Sequence, residues 1–311
     1  YCFAAAAKLG WAGGAELARM GAWYIIEHGL LPDGVPGMVL QPGKGLKDDR
    51  VDLYDTAFVL FAISTAADVL EDHRLHAEVL KLLGVIEGHL KRPASEGGYS
   101  EVLPTPELRE QNPHMHLLEG LLAAFSATGA QQAMEAALEL EEFVTRTFID
   151  RVDGGLHELA LPHGRPPAGD RFEAGHQFEW TWLLHERARL SGTPAAPIVR
   201  GLAEKGRALT LPDGRVPLSH TLDGAVRERI LRTWSITEAM KAYLALASAG
   251  NGAEGEMAAR CCDILFDDHL LANGGWMDQI DLGRKPLSKD MPASTFYHVV
   301  LAMAELKKMV A

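Results

Sequence analysis

Five polar or ionisable residues stand near the starts of apolar helical stretches at almost constant intervals. They are Asp55, His116, His176, Glu238 and His298, separated by 61, 60, 62 and 60 residues. Imidazoles and carboxylates exchange protons near neutral pH, so such a set in register points to general acid–base chemistry. Helical spacing supplies neighbours. His116 and Glu119 in NPHMHLLEG (112–120), and His176 and Glu179 in GHQFEWTWLL (175–184), stand at i and i+3. RTWSITEAM (232–240) places Trp234 and Glu238 at i and i+4, and ASTFYHVV (293–300) puts Ser294 and His298 on one face, with Trp276 and Asp278 in the loop before it. Each helical pair lies on one side of its helix. Taken singly, each residue has an ordinary alternative as a packed core side chain, or as turn chemistry for Trp276 and Asp278. The register is what favours a site.

His114 and His116, two residues apart, point in nearly opposite directions, so their helix cannot offer both imidazoles to one metal. No Cys/His cluster has ligand spacing either. Chemistry without a metal is therefore expected. Asn112 before Pro113 reads as an N-cap followed by the first helical position, which puts His116 in the first turn.

The elements that must carry these residues are helices of two kinds. Residues 51–71 are apolar on nearly every side, whereas 73–92 show a single stripe of Leu75, Val79, Leu82, Leu83, Ile86 and Leu90, the pattern of a helix with one wet face. The alternation continues: buried 113–128, half-exposed 131–148, buried 176–190, half-exposed 195–210, buried 233–249, half-exposed 254–271 and buried 294–310. A helix ending near residue 10 and an amphipathic one over 12–29 precede them. Residues 37–48 read as a β-hairpin, and 153–161, 214–230 and 276–289 as loops with strand character. Six buried and five half-exposed helices imply two concentric rings, an all-α (α/α)6 barrel with short β-hairpins in its loops, and a single domain over 1–311. The sixth outer helix is expected upstream of Tyr1. Parallel inner helices would gather the five marked residues at one mouth, where helix N-termini favour a developing oxyanion and hold histidines neutral.

Composition narrows the class. A net charge of −12, from 30 basic and 42 acidic residues, argues against nucleic acid as a partner. Three cysteines, Cys2, Cys261 and Cys262, make no disulfide framework and suit a reducing cytoplasm. No apolar run is read as reaching the ~18 residues of a membrane span. A cytoplasmic protein, with a homodimer as the assembly to look for, is the expectation.

The segments NPHMHLLEG, GHQFEWTWLL, TWSITEAMKA and STFYH together resemble the N-acylglucosamine 2-epimerase superfamily, which includes cellobiose 2-epimerases and D-mannose isomerases. The resemblance runs the length of the chain. It implies an (α/α)6 barrel, isomerisation or epimerisation of a sugar beside its carbonyl, and no metal or nucleotide in the chemistry. It also implies catalytic histidines at His116, His176 and His298, assisting carboxylates at Glu179 and Glu238, and substrate-lining positions at Asn112, Tyr54 and Trp234. Glu119, Trp276 and Asp278 join the lining on their own placement. Two departures stand out. The family's substrate-binding Arg falls upstream of the segment that matches Tyr1, and the paired Trp-Trp of cellobiose 2-epimerases is here Thr233-Trp234, which weakens a disaccharide reading.

The expected reaction moves a proton from C2 of an aldose, either to C1 to give the ketose (mannose–fructose type) or to the other face of C2 to give the epimer. The pair for it is His176 and His298, acting through a cis-enediolate on a monosaccharide, with a 2-epimerase acting on an N-acylated hexosamine or other aldose as the close alternative. His116 and the carboxylates would orient the open chain. His114 faces the other way and has no matched role. A glycoside hydrolase would need two carboxylates flanking a glycosidic bond, and a non-catalytic sugar-binding protein has no need of an acid and a base.

Overall fold

The helices form where apolar spacing puts them. The structure, a computed structural model, describes residues 1–162, 164–250 and 252–310. Its contacts divide the chain into two compact units, Tyr1–Phe148 with Leu159–Pro167 and Ile149–Glu158 with Ala168–Ala311.

Unit 1 holds α1 (Cys2–Lys8), α2 (Gly14–His28), the hairpin β1 (Val39–Gln41) and β2 (Gly45–Asp48), α3 (Leu53–Leu70), α4 (His73–His89), β3 (Arg109–Glu110), α5 (Gln111–Thr128), α6 (Gln131–Thr147) and β4 (Leu159–Ala160). Asp52 starts α3 by accepting the N–H groups of Tyr54 and Asp55, an N-cap in its usual role. α3 packs against α5, and the two backbones approach at Gly120, where a Cβ would meet the Ala57 carbonyl oxygen at 3.0 Å. On α4 the stripe from Leu75 to Ile86 is buried, as read from its spacing.

Two expectations need correcting here. α3, at 18 residues, is by length and composition apolar enough to cross a membrane. Asp55 and Asp68 interrupt the run, which is why no such span was expected. Its buried Leu53, Leu60, Ile63 and Ala67 and its packing on α5 make it a core helix. The second correction concerns Asn112. α5 begins at Gln111 with Glu110 as its N-cap, because β3, paired with β4, carries extended backbone up to Glu110. Asn112 and Pro113 therefore lie inside the first turn, where the missing proline N–H is harmless, and His116 falls in the second turn.

His114 is wholly buried in unit 1. Its Nδ1–H donates to the Glu110 carbonyl at 2.8 Å and its Nε2 accepts the Tyr99 N–H at 3.1 Å, so it ties the start of α5 to the loop before it. Burial, outweighing the Glu101 carboxylate, pushes its pKa down to about 4 from 6.5. The unfolded chain thus takes a proton that the folded one refuses, and this contribution to stability is present above pH 6.5 and lost as pH falls through about 4. His114→Asn is expected to cost about 1–3 kcal/mol at neutral pH, the usual penalty for breaking a buried hydrogen-bonded group. Urea melts at pH 7 with an unchanged midpoint would refute this.

Unit 2 holds α7 (Ala174–Ser191), α8 (Ile198–Leu209), β5 (Pro217–His220), β6 (Val226–Arg232), α9 (Thr233–Ser248), α10 (Gly252–Ile264), β7 (Gln279–Asp281) and α11 (Ala293–Val310). α7 and α9 are buried over most of their length, and Phe178, Ile236, Met240 and Tyr243 contribute to one core. β6 pairs with β5 on one side and β7 on the other, all antiparallel. The single helix expected over 254–271 instead stops at Ile264 and widens into a π turn, Leu265–His269. In that turn the buried Asp268 accepts Arg215 Nε at 2.8 Å.

Candidate active site

Unit 1 places His116 among aromatic rings. Tyr54 meets it edge-on at 4.8 Å between centroids and Phe58 at 4.7 Å, while its Nδ1 lies 3.4 Å from Glu119 Oε2. The predicted i, i+3 pair is therefore in contact. Asn112, one helical turn before His116, keeps a buried Oδ1 with no hydrogen-bond partner among the described residues, an acceptor available to a ligand hydroxyl. Burial, reinforced by Asp52, raises Asp55 to about 6.

In unit 2, His176 and His298 both lie against Trp234, with ring centroids 4.9 Å and 5.8 Å from the indole. Trp234 reaches this position because its ring rests on bare backbone at Gly175. A Cβ there would come within 2.2 Å of Trp234 Cζ3. Gly175→Ala is therefore expected to displace the indole and, since misplacing reacting groups by about 1 Å is costly, to lower kcat/KM about tenfold or more with the helical spectrum kept. A Gly175→Ala variant within twofold of the parent would show that the contact is immaterial.

Each histidine has its own carboxylate partner. His298 Nδ1–H donates to Glu238 Oε1 at 2.6 Å. His176 Nδ1–H lies 2.9 Å from both oxygens of Glu158, and Glu173 Oε2 is 3.6 Å away. A carboxylate on Nδ1 fixes the tautomer and leaves the chemistry to Nε2. The two environments differ in charge. At His176, burial acts to lower the pKa, but Glu158 and Glu173 outweigh it and raise it to about 9, so the ring is an imidazolium at neutral pH. The expectation that helix N-termini hold the histidines neutral fails here, because two adjacent carboxylates exceed a helix-end dipole. Glu238 sits below the usual carboxylate range: burial pushes it up, but Lys241 and His298 more than offset that.

Glu179, Glu238 and His298 come together, with one ligand-type atom of each within 4.8 Å of the others, and Tyr297 donates its hydroxyl to Glu179 at 3.2 Å. Glu158, Glu173 and His176 form a second such group. Donors of these types could hold a divalent cation. Positive charge is already supplied to one group by Lys241, 2.7 Å from Glu238, and to the other by His176 itself. The loop residues stand differently. Asp278 is ion-paired with Arg232 at 2.9 Å and accepts the Thr295 hydroxyl, which joins the start of β7 to α11. Trp276 stacks flat on Phe296, centroids 5.3 Å apart.

Spacing alone did not single out Glu158, Glu173, Lys241 or Tyr297. Glu173 precedes His176 by three residues and Lys241 follows Glu238 by three, so both carried a helical signal. Glu158 carried none. It is held in place because Gln177, next to His176, accepts the Leu156 N–H and donates to the Leu156 carbonyl, both at 2.8 Å.

The profile of N-acylglucosamine 2-epimerase (GlcNAc 2-epimerase) matches residues 1–302. The chain belongs to the N-acylglucosamine 2-epimerase family. The mannose-6-phosphate isomerase of Rhizobium meliloti (strain 1021) is 33% identical over 325 residues, a match covering 99% of this chain and 83% of that protein. A solved D-mannose isomerase superimposes with a TM-score of 0.88 at 21% identity, over 99% of this chain and 84% of its own. The cellobiose 2-epimerase of Bacillus thermoamylovorans B4167 does so at 0.88 and 17% identity, over 99% and 85%. The fold class is that of these epimerase and isomerase structures, all-α of the (α/α)6-barrel type. With the family comes the general activity: the protein is a sugar isomerase or epimerase.

Proposed function

We propose that this enzyme interconverts an aldose of the mannose type with its ketose, by proton transfer between C2 and C1 through a cis-enediolate. The observation that carries the reading is the asymmetric pair of histidines at Trp234: His298 oriented by Glu238, and His176 drawn into its charged form by Glu158 and Glu173. His298 is the base. It removes the C2 proton of the open-chain sugar, the C–H electron pair becomes the C1–C2 double bond, and the carbonyl oxygen takes the developing negative charge. The imidazolium of His176 is the acid, donating to that oxygen where its charge counts most. Return of the proton from His298 to C1, with the O2 proton passing to the now neutral His176, gives the ketose. Trp234 offers an apolar face to the sugar's C–H groups, and Glu179, held by Tyr297, is placed to accept hydroxyls.

The 33% identical mannose-6-phosphate isomerase favours a 6-phosphorylated form of the substrate, whereas the N-acylglucosamine 2-epimerase profile favours the epimer as product. One experiment separates these readings. The enzyme is incubated in D2O with D-mannose, D-mannose 6-phosphate and N-acetyl-D-glucosamine, and followed by NMR. A ketose deuterated at C1, from either mannose substrate, is expected. Deuterium retained only at C2 of an epimer would replace the isomerase by the epimerase, and no exchange with any of the three would refute both.

A further inference from the structure

Lys241 has no part in the scheme above, yet it is fully buried in unit 2. It follows Glu238 by one helical turn on α9 and is 0% exposed. Its Nζ is 2.7 Å from Glu238 Oε2 and 3.9 Å from the centre of the Trp182 ring on α7. The other oxygen of the same carboxylate, Oε1, accepts the Nδ1–H of His298. One carboxylate thus joins an ammonium to an imidazole. Burying an ammonium is costly, and an apolar side chain of similar length would fill the space. Packing alone gives no reason for a lysine here.

We propose, on the reading of His298 as the base, that Lys241 is a positioning residue for it. By sharing Glu238 it fixes the carboxylate in one orientation and withdraws part of its negative charge from His298, so that the imidazole is neutral when substrate arrives. Without Lys241 the full charge of Glu238 would fall on His298 and favour the imidazolium, which has no lone pair with which to take the C2 proton. The other titratable groups that face His298 act alongside. Glu179 of α7 is part of the same cluster, and Tyr297, the neighbour of His298 on α11, donates to it. His176 packs against the same indole, Trp234, and Asp278, neutralised by Arg232, reaches α11 at Thr295.

The test is the pH dependence of kcat/KM for the intact enzyme, on whichever of D-mannose and D-mannose 6-phosphate it turns over, in the parent, Lys241→Met, Lys241→Gln and His298→Asn. Lys241→Met is expected to move the acid limb up by about one pH unit, the scale of a nearby charge's effect. Activity should fall about tenfold on the acid side and recover on the alkaline side, with KM within about twofold. Lys241→Gln keeps a hydrogen bond to Glu238 without the charge and should shift the same way; it stands in if the methionine variant does not fold. An unmoved acid limb in a folded Lys241 variant, with His298→Asn inactive, overturns the role of Lys241 alone. Full activity in His298→Asn overturns the base assignment and this proposal with it. Should neither lysine variant fold, the imidazole NMR signal of His298 in the parent, assigned by its loss in His298→Asn, decides. A midpoint below pH 7 supports the proposal and one above it overturns it.

Discussion

Replacing His298 with Asn is expected to lower kcat by roughly 10²–10⁴-fold with little change in KM, the range lost when a general acid or base is removed. The substitution is selective. The amide nitrogen of Asn can stand where Nδ1 stands and still donate to Glu238 Oε1, which the ring nitrogen meets at 2.6 Å, so the partner carboxylate is not stranded. What disappears is Nε2. His176→Asn follows the same logic, its amide facing the Glu158 oxygens that Nδ1 meets at 2.9 Å, and a loss of similar size is expected. Both variants should keep the parent's helical spectrum and melting temperature to within a few degrees. A folded variant of either kind whose kcat stays within threefold of the parent would remove that histidine from the mechanism.

The second large effect concerns charge. If His176 is the acid, activity must fall as pH rises through its pKa of about 9, and the alkaline limb of kcat/KM should lie there. Glu158→Gln removes the nearer of the two carboxylates that oppose burial at His176. Its pKa then falls toward or below the ordinary ~6.5, with Glu173 resisting part of the fall. A drop of about two units would leave roughly one-tenth of the enzyme protonated at pH 8, so kcat/KM there should fall about tenfold, while the loss is small at pH 6. An alkaline limb that does not move in the folded variant would show that Glu158 does not set the charge on His176.

Much of this arrangement was legible in the sequence, for identifiable reasons. Burial on most sides leaves a mark in nearly every residue of a helix, so α5 could be told from α4, whose stripe faces one way; α3, apolar on nearly every side, is 50% buried and is not covered all round as its composition suggested. His116 with Glu119 was legible because the partner lies within a helical turn. The bond between His298 and Glu238 crosses from one helix to another, and only the 60-residue register hinted at it. Glu158 could not be read at all. It lies in an irregular stretch 18 residues before His176 and is brought there by Gln177 clasping Leu156 and by His157, whose Nδ1–H donates to Asp170 at 2.9 Å. Lys241 was passed over because a lysine in an apolar helix is usually assigned to solvent. Its ion pair with Glu238 is what lets it stay inside.

The polypeptide enters each unit twice, since 149–158 belongs to the second unit and 159–167 returns to the first. The protein is therefore indivisible at the level of the gene. A piece ending at Phe148 would lack β4 and leave Arg109 and Glu110 as an unpaired edge just ahead of α5. A piece starting at Ala168 would lose both Leu156, the partner of Gln177, and Glu158. Split reporters, domain transplants and half-length expression would each have to carry this interleaved strip along, or rebuild its backbone hydrogen bonds by other means.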